Sequence, residues 1–293
     1  MAGFAQNSVL NRFRALDKRH PTTVDLVTLF VIPTVVLSSI YFLWPASERV
    51  LEYKARNPTL IGILGSNLAH RSAGHLTRNL IGLWLFGGFG YLLARSAGKR
   101  DFYRLSFVSY LTVLPFLASP FIRRMLADTP AKLAKLESVG FSQTVGAITG
   151  FLAIAIALYY YRVTEGDARP DLLAIGLFFG GFGAFFQKLG GNLDVTVLTV
   201  GIGILTLIYI GVKGQLSFEQ SFRSVSFWAT VGGVLLFYLA IGGLFNPQAG
   251  GGIYGHLAGY WWGFILSGLY LLLTETYRRI PGYFNGQVPF FTL

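Results

Sequence analysis

Residues 70–94 read HRSAGHLTRNLIGLWLFGGFGYLLA. The second part, 80–94, carries no charge, while the first part holds two of the chain's four histidines, His70 and His75, together with Asn79. A hydrocarbon layer about 30 Å thick takes roughly 20 predominantly apolar residues in helix. The stretch therefore reads as a membrane helix with a polar mouth. Ionisable groups at membrane depth are costly and are kept mainly for function, so the functional reading begins at this mouth.

The rest of the chain agrees with a membrane setting. Of its 293 residues 53% are hydrophobic and 13% charged, and the mean hydropathy is +0.54. That composition is too apolar for a soluble core to hide. Apolar runs fall at 26–44, 75–94, 105–122, 139–161, 172–186, 195–212, 225–245 and 253–274. The fold class expected is all-α, a polytopic transmembrane bundle of about eight spans. The run at 172–186 is short and Gly-rich and reads as a span or a re-entrant element.

The net charge of +11 does not point to nucleic acid, because the cations are scattered over short loops between apolar runs. The positive-inside bias accounts for them better. Arg12, Arg14, Lys18 and Arg19 precede the first run, Arg95, Lys99, Arg100 and Arg104 follow the second, and Arg278 and Arg279 follow the last. They orient both termini to the cytoplasm in a multi-pass protein of the cell membrane. The cations within 123–137 then face outward, against the bias. The first run is too long for a signal-peptide core and reads as a retained anchor. The chain divides into a cytosolic tail (1–22), one membrane domain (23–277) and a C-terminal tail (278–293). With no cysteine, disulfides and thiolate metal sites are excluded.

In this topology the second, fourth and eighth runs all begin on the outer side, and each carries its unusual polar residues near its start. These are His75 and Asn79, then Ser142, then His256. Ser142, Gly146 and Gly150 recur at i, i+4, i+8, and so do Gly255, Gly259 and Gly263. Small residues at that spacing let membrane helices pack backbone to backbone, which would bring the serine and the histidine together. A neutral imidazole in reach of a serine hydroxyl can accept its proton during attack on a carbonyl. No Asp or Glu occurs in 225–274, so a dyad is expected rather than a triad. His75 and Asn79, four apart, share a helix face and are candidate oxyanion donors. If the helix reached back to His70, that residue would point away from Asn79; it reads as a loop residue bracing the approach. A zinc site is disfavoured, since no Glu separates paired histidines and no carboxylate lies in the stretch. No metal or other cofactor is expected.

The set H70-x4-H75-x3-N79, G140-F-S142 and G255-H256-x2-G259-x3-G263 resembles the rhomboid family of intramembrane serine proteases, over roughly 70–274. The resemblance implies a six-helix core, a nucleophile at Ser142, a general base at His256, and oxyanion donors at His75, Asn79 and the Ser142 amide. Its implied partners are the bilayer and transmembrane protein substrates. The sequence departs from the family at Gln143, where a glycine is expected; its side chain would crowd the oxyanion pocket or add a donor. Gly146 stands where many relatives have a tyrosine, the Trp-Arg pair of the first outer loop is absent, and two extra spans separate Ser142 from His256. These departures keep open a catalytically inactive relative that binds membrane proteins, and an unrelated transporter is a third reading.

Overall fold

The computed structural model describes residues 21–125, 137–138, 140–163, 170–188, 197, 200–202, 204–205, 225–244 and 252–279. The expected span at 195–212 lies largely outside them, as do the tail residues 1–20 and 280–293 and most of the loop 123–137.

The fold is all-α. In chain order the elements are α1 (Pro21–Leu43), α2 (Ser47–Leu51), β1 (Tyr53–Lys54) and α3 (Leu60–Gly65). The helix α4 covers 73–96, in which Ala73–Gly82 and Gly88–Ser96 are joined by one wider π-type turn, Leu83–Gly87. After it come α5 (Arg100–Thr112), α6 (Leu114–Met125), β2 (Glu137–Ser138), α7 (Ser142–Val163), α8 (Pro170–Lys188), α9 (Val225–Leu244) and α10 (Gly252–Arg279). The two short strands pair antiparallel, Tyr53 with Ser138 and Lys54 with Glu137.

The helix α7 is the centre. Every residue from Thr144 to Leu158 is buried, which a helix apolar on all sides requires. Its small residues set how closely neighbours come. A Cβ on Gly146 would sit 2.6 Å from the His256 carbonyl oxygen, and one on Gly150 would strike the Tyr260 carbonyl. From the other side, a Cβ on Gly259 would strike the Gln143 carbonyl and one on Gly263 the main chain of Ala147. Both pairings advance by four residues on each helix (146 to 150 against 256 to 260, 143 to 147 against 259 to 263). The two helices therefore run parallel, main chain against main chain. Gly255 is buried one turn earlier on α10.

Hydroxyls on α5 also hold α10. Tyr110 donates to the Gly263 carbonyl at 3.1 Å and also meets the Ser267 hydroxyl, and Ser109 and Tyr270 share a hydrogen bond of 2.8 Å. On α4, Gly82 lets the Val145 side chain approach to 2.5 Å from where a Cβ would stand.

Three described helical stretches are long and apolar enough to cross a membrane: Pro21–Leu43, Ser142–Val163 and Ile253–Thr274. The run read as one span over 105–122 is two helices, α5 and α6, meeting at 56°. Counted together they would make a fourth. Pro115 explains the break: it has no N–H to donate and its ring crowds the carbonyl four residues back. Pro33 likewise follows a π-type turn at Leu26–Val31. Pro170–Ala184 and Trp228–Gly243 are apolar but shorter. The start of α1 is fixed by a charge cluster. The buried Asp25 carboxylate accepts from Tyr91 at 2.5 Å, from Arg100 Nε at 2.6 Å and from Arg104 Nε at 2.5 Å. Arg100 also donates to the Pro21 carbonyl at 2.9 Å.

Removing one member of a buried ion pair leaves its partner's charge uncompensated and typically costs about 3–5 kcal/mol. Asp25→Asn is therefore expected to lower stability by that order, read as an earlier unfolding transition in a detergent titration, while Asp101→Asn, at an exposed position, leaves it nearly unchanged.

Candidate functional site

The turn that opens α7 is held by main-chain donors. The Gly140 N–H donates to the Ser66 carbonyl at 2.6 Å. Gly140 has φ +122°, a conformation that side chains rarely adopt. A Cβ there would also lie 2.7 Å from His75 Nε2. Only glycine fits. The β1–β2 pairing ties the preceding strand to the segment between α2 and α3.

One residue on, the Phe141 N–H donates to His70 Nε2 at 3.3 Å. Asn79 Nδ2 approaches the same nitrogen at 3.0 Å. A backbone N–H can only donate, so Nε2 carries the lone pair, the ring proton is on Nδ1, and Asn79 gives a hydrogen from its amide. His70 is buried. Burial first, and then the charge of nearby His75, push its pKa down to about 4, with the Leu68 backbone offsetting part of this. The His70 and His75 rings meet edge to face, centroids 5.3 Å apart. His75 is half-buried and Asn79 buried on α4.

His70 thus lies in the loop before α4, as its angular position against Asn79 requires. It does more than brace an approach, because it joins Asn79 to the turn before Ser142. Spacing cannot reveal that link, which runs from a loop side chain to a backbone N–H 71 residues away. Ser66 and Phe141 were likewise not among the expected residues, since they contribute through the main chain and leave no side-chain signature. Asn67 is buried with neither side-chain atom partnered among the described residues.

Ser142 is the first residue of α7 and is buried, as is His256 on α10. Ser142 stands one turn before Gly146, and Gly146 is the residue on which the His256 main chain rests. Helical side chains lean toward the N-terminus, so in parallel helices His256 leans toward the level of Ser142. The structure brings His70, His75, Asn79, Gly140, Ser142, Gln143 and His256 to one end of the bundle. Among the described residues no three of His, Cys, Asp or Glu are grouped to hold a metal ion. The chain matches no family model, no curated protein and no solved structure.

The depressed His70 pKa fixes a pH dependence. The unfolded chain protonates near the ordinary 6.5 and the folded one near 4, so the unfolded state binds more protons in between. The stability His70 contributes is complete above about 6.5 and is lost as the pH falls toward 4. In a series of unfolding curves, His70→Gln should flatten this decline; an unchanged slope would contradict the assignment.

Proposed function

We propose that this chain is an intramembrane serine endopeptidase of rhomboid type, a multi-pass protein of the cell membrane with about eight spans on a six-helix core and both termini cytoplasmic. Its substrates are membrane proteins cut in or near their transmembrane segments. Ser142 is the nucleophile and His256 the general base, with His75, Asn79 and the Ser142 N–H as oxyanion donors. The observation that carries this reading is the parallel glycine seam, which sets the His256 main chain on Gly146, one turn from Ser142. The His70–Asn79–Phe141 linkage supports it further, since it braces one expected donor against the turn that carries the nucleophile.

The reaction follows the order usual for acyl transfer. Ser142 Oγ bonds to the scissile carbonyl carbon, its proton passes to His256, and the carbonyl π electrons move to the oxygen, where the donors stabilise the charge. The C–N bond then breaks as His256 returns the proton to the leaving amine. Water attacks the acyl-serine ester, giving its proton to His256. The ester C–O bond breaks, Ser142 recovers the proton and the carboxylic acid leaves. The sum is hydrolysis of one peptide bond. No cofactor takes part.

The test is cleavage in proteoliposomes by the full chain, with a set of transmembrane substrates. The wild type is expected to cut at least one, and Ser142→Ala and His256→Ala to fall to the level of empty vesicles. Equal cleavage by all three proteins, or none by the wild type, would overturn the proposal. Labelling of single cysteines at 75, 142 and 255 gives the topology independently: all three are expected to react from the same side.

A further inference from the structure

Gln143 directly follows Ser142, and its carbonyl lies against the Cα of Gly259 in the seam. Its backbone is therefore fixed, and its side chain leans toward the start of α7, the end that carries the turn 140–142. The Nε2 amide nitrogen of this side chain is buried and has no hydrogen-bond partner among the described residues. An unmade hydrogen bond on a buried amide carries a desolvation cost that nothing offsets. A cost of that kind beside a candidate nucleophile fits a donor reserved for a ligand. Three nearby hydrogens are already committed, the Gly140 N–H to Ser66, the Phe141 N–H to His70 and one Asn79 hydrogen to His70, and Gln143 would add to the donors that remain.

Building on the serine endopeptidase reading, we propose that Gln143 is a further catalytic residue, whose Nε2 donates to the carbonyl oxygen of the scissile peptide as it becomes the oxyanion. The amide is suited to the task. It is neutral, so it leaves the basicity of His256 undisturbed, and it can only donate through Nε2. Because the Gln143 carbonyl cannot leave Gly259, the donor reaches the substrate by side-chain rotation, with no movement of α7. The unsatisfied hydrogen in the resting protein finds its partner when the substrate carbonyl arrives, so the gain falls on the reacting state.

The experiment is steady-state cleavage of one transmembrane substrate by the full chain in proteoliposomes, with kcat and KM separated. Gln143→Leu and the isosteric Gln143→Glu remove the donor, Gln143→Gly removes the side chain, and Gln143→Asn shortens its reach. Loss of one oxyanion donor typically costs about 10²–10³-fold in kcat. Leu, Glu and Gly variants are expected to lose kcat on that order with KM changed less than about twofold, and Asn to lose less. Thermal unfolding of each variant identifies any that fail to fold, and the near-isosteric Glu variant keeps the comparison open if Leu does. Wild-type kcat in a folded Leu or Glu variant, or a rise in Gln143→Gly, would overturn the assignment while leaving the Ser–His reading intact. Cleavage that survives Ser142→Ala, or no cleavage by the wild type, would overturn both.

Discussion

The close approach of α7 and α10 is the constraint on which the rest depends. Both helices include stretches long and apolar enough to cross a membrane, and in a bilayer, where the lipid is as apolar as the side chains, such helices gain little from burying leucine. Main-chain contact over small residues must supply the association. Four glycines, two on each helix, make the seam so tight that an added methyl would strike backbone at each. Such a contact has no freedom to slide. Whatever stands one turn from it is held at a fixed height, and Ser142 and His256 both do.

Around this axis the polar groups sort to two ends. Asp25 gathers Tyr91, Arg100 and Arg104 at one end of α4, while His70 gathers Asn79 and Phe141 at the other. From 75 to 91 along the helix is about 24 Å at 1.5 Å per residue. The Asp25 cluster locks the start of α1 to α4 and α5. Hydrogen bonds among Ser109, Tyr110, Ser267, Tyr270 and the Gly263 carbonyl then tie α10 to α5. The seam is thus braced without placing a charge beside it.

Much of this was legible in the residue order, and the reasons for what was not are physical. The i, i+4 repeats of Gly146, Gly150, Gly259 and Gly263 announce a packing face, because helix geometry makes spacing and face equivalent. That α7 and α10 run parallel is shown by the seam itself; a count of spans between them passes through 195–212, which lies largely outside the described residues. The break at Val113 could have been read from Pro115, but continuous hydropathy masked it. The Asp25 cluster joins residues 75 and 79 apart, and hydropathy patterns do not report such long-range pairs. The role of His70 was hidden for another reason: one of its partners is a main-chain N–H, which every residue but proline offers. Gln143 was visible as a departure from the rhomboid pattern, yet its identity alone did not tell obstruction from donor.

The central claim is that His256 activates Ser142 across the seam. A fluorophosphonate reads this directly, because it bonds covalently only to a serine whose proton has a place to go, and it needs no knowledge of the substrate. After incubation of the full chain in lipid, peptide mapping by mass spectrometry is expected to find the phosphonyl group on Ser142. With His256→Ala the adduct is expected to vanish, while the folded protein remains. An adduct on another residue, or labelling of Ser142 that persists without His256, would contradict the account.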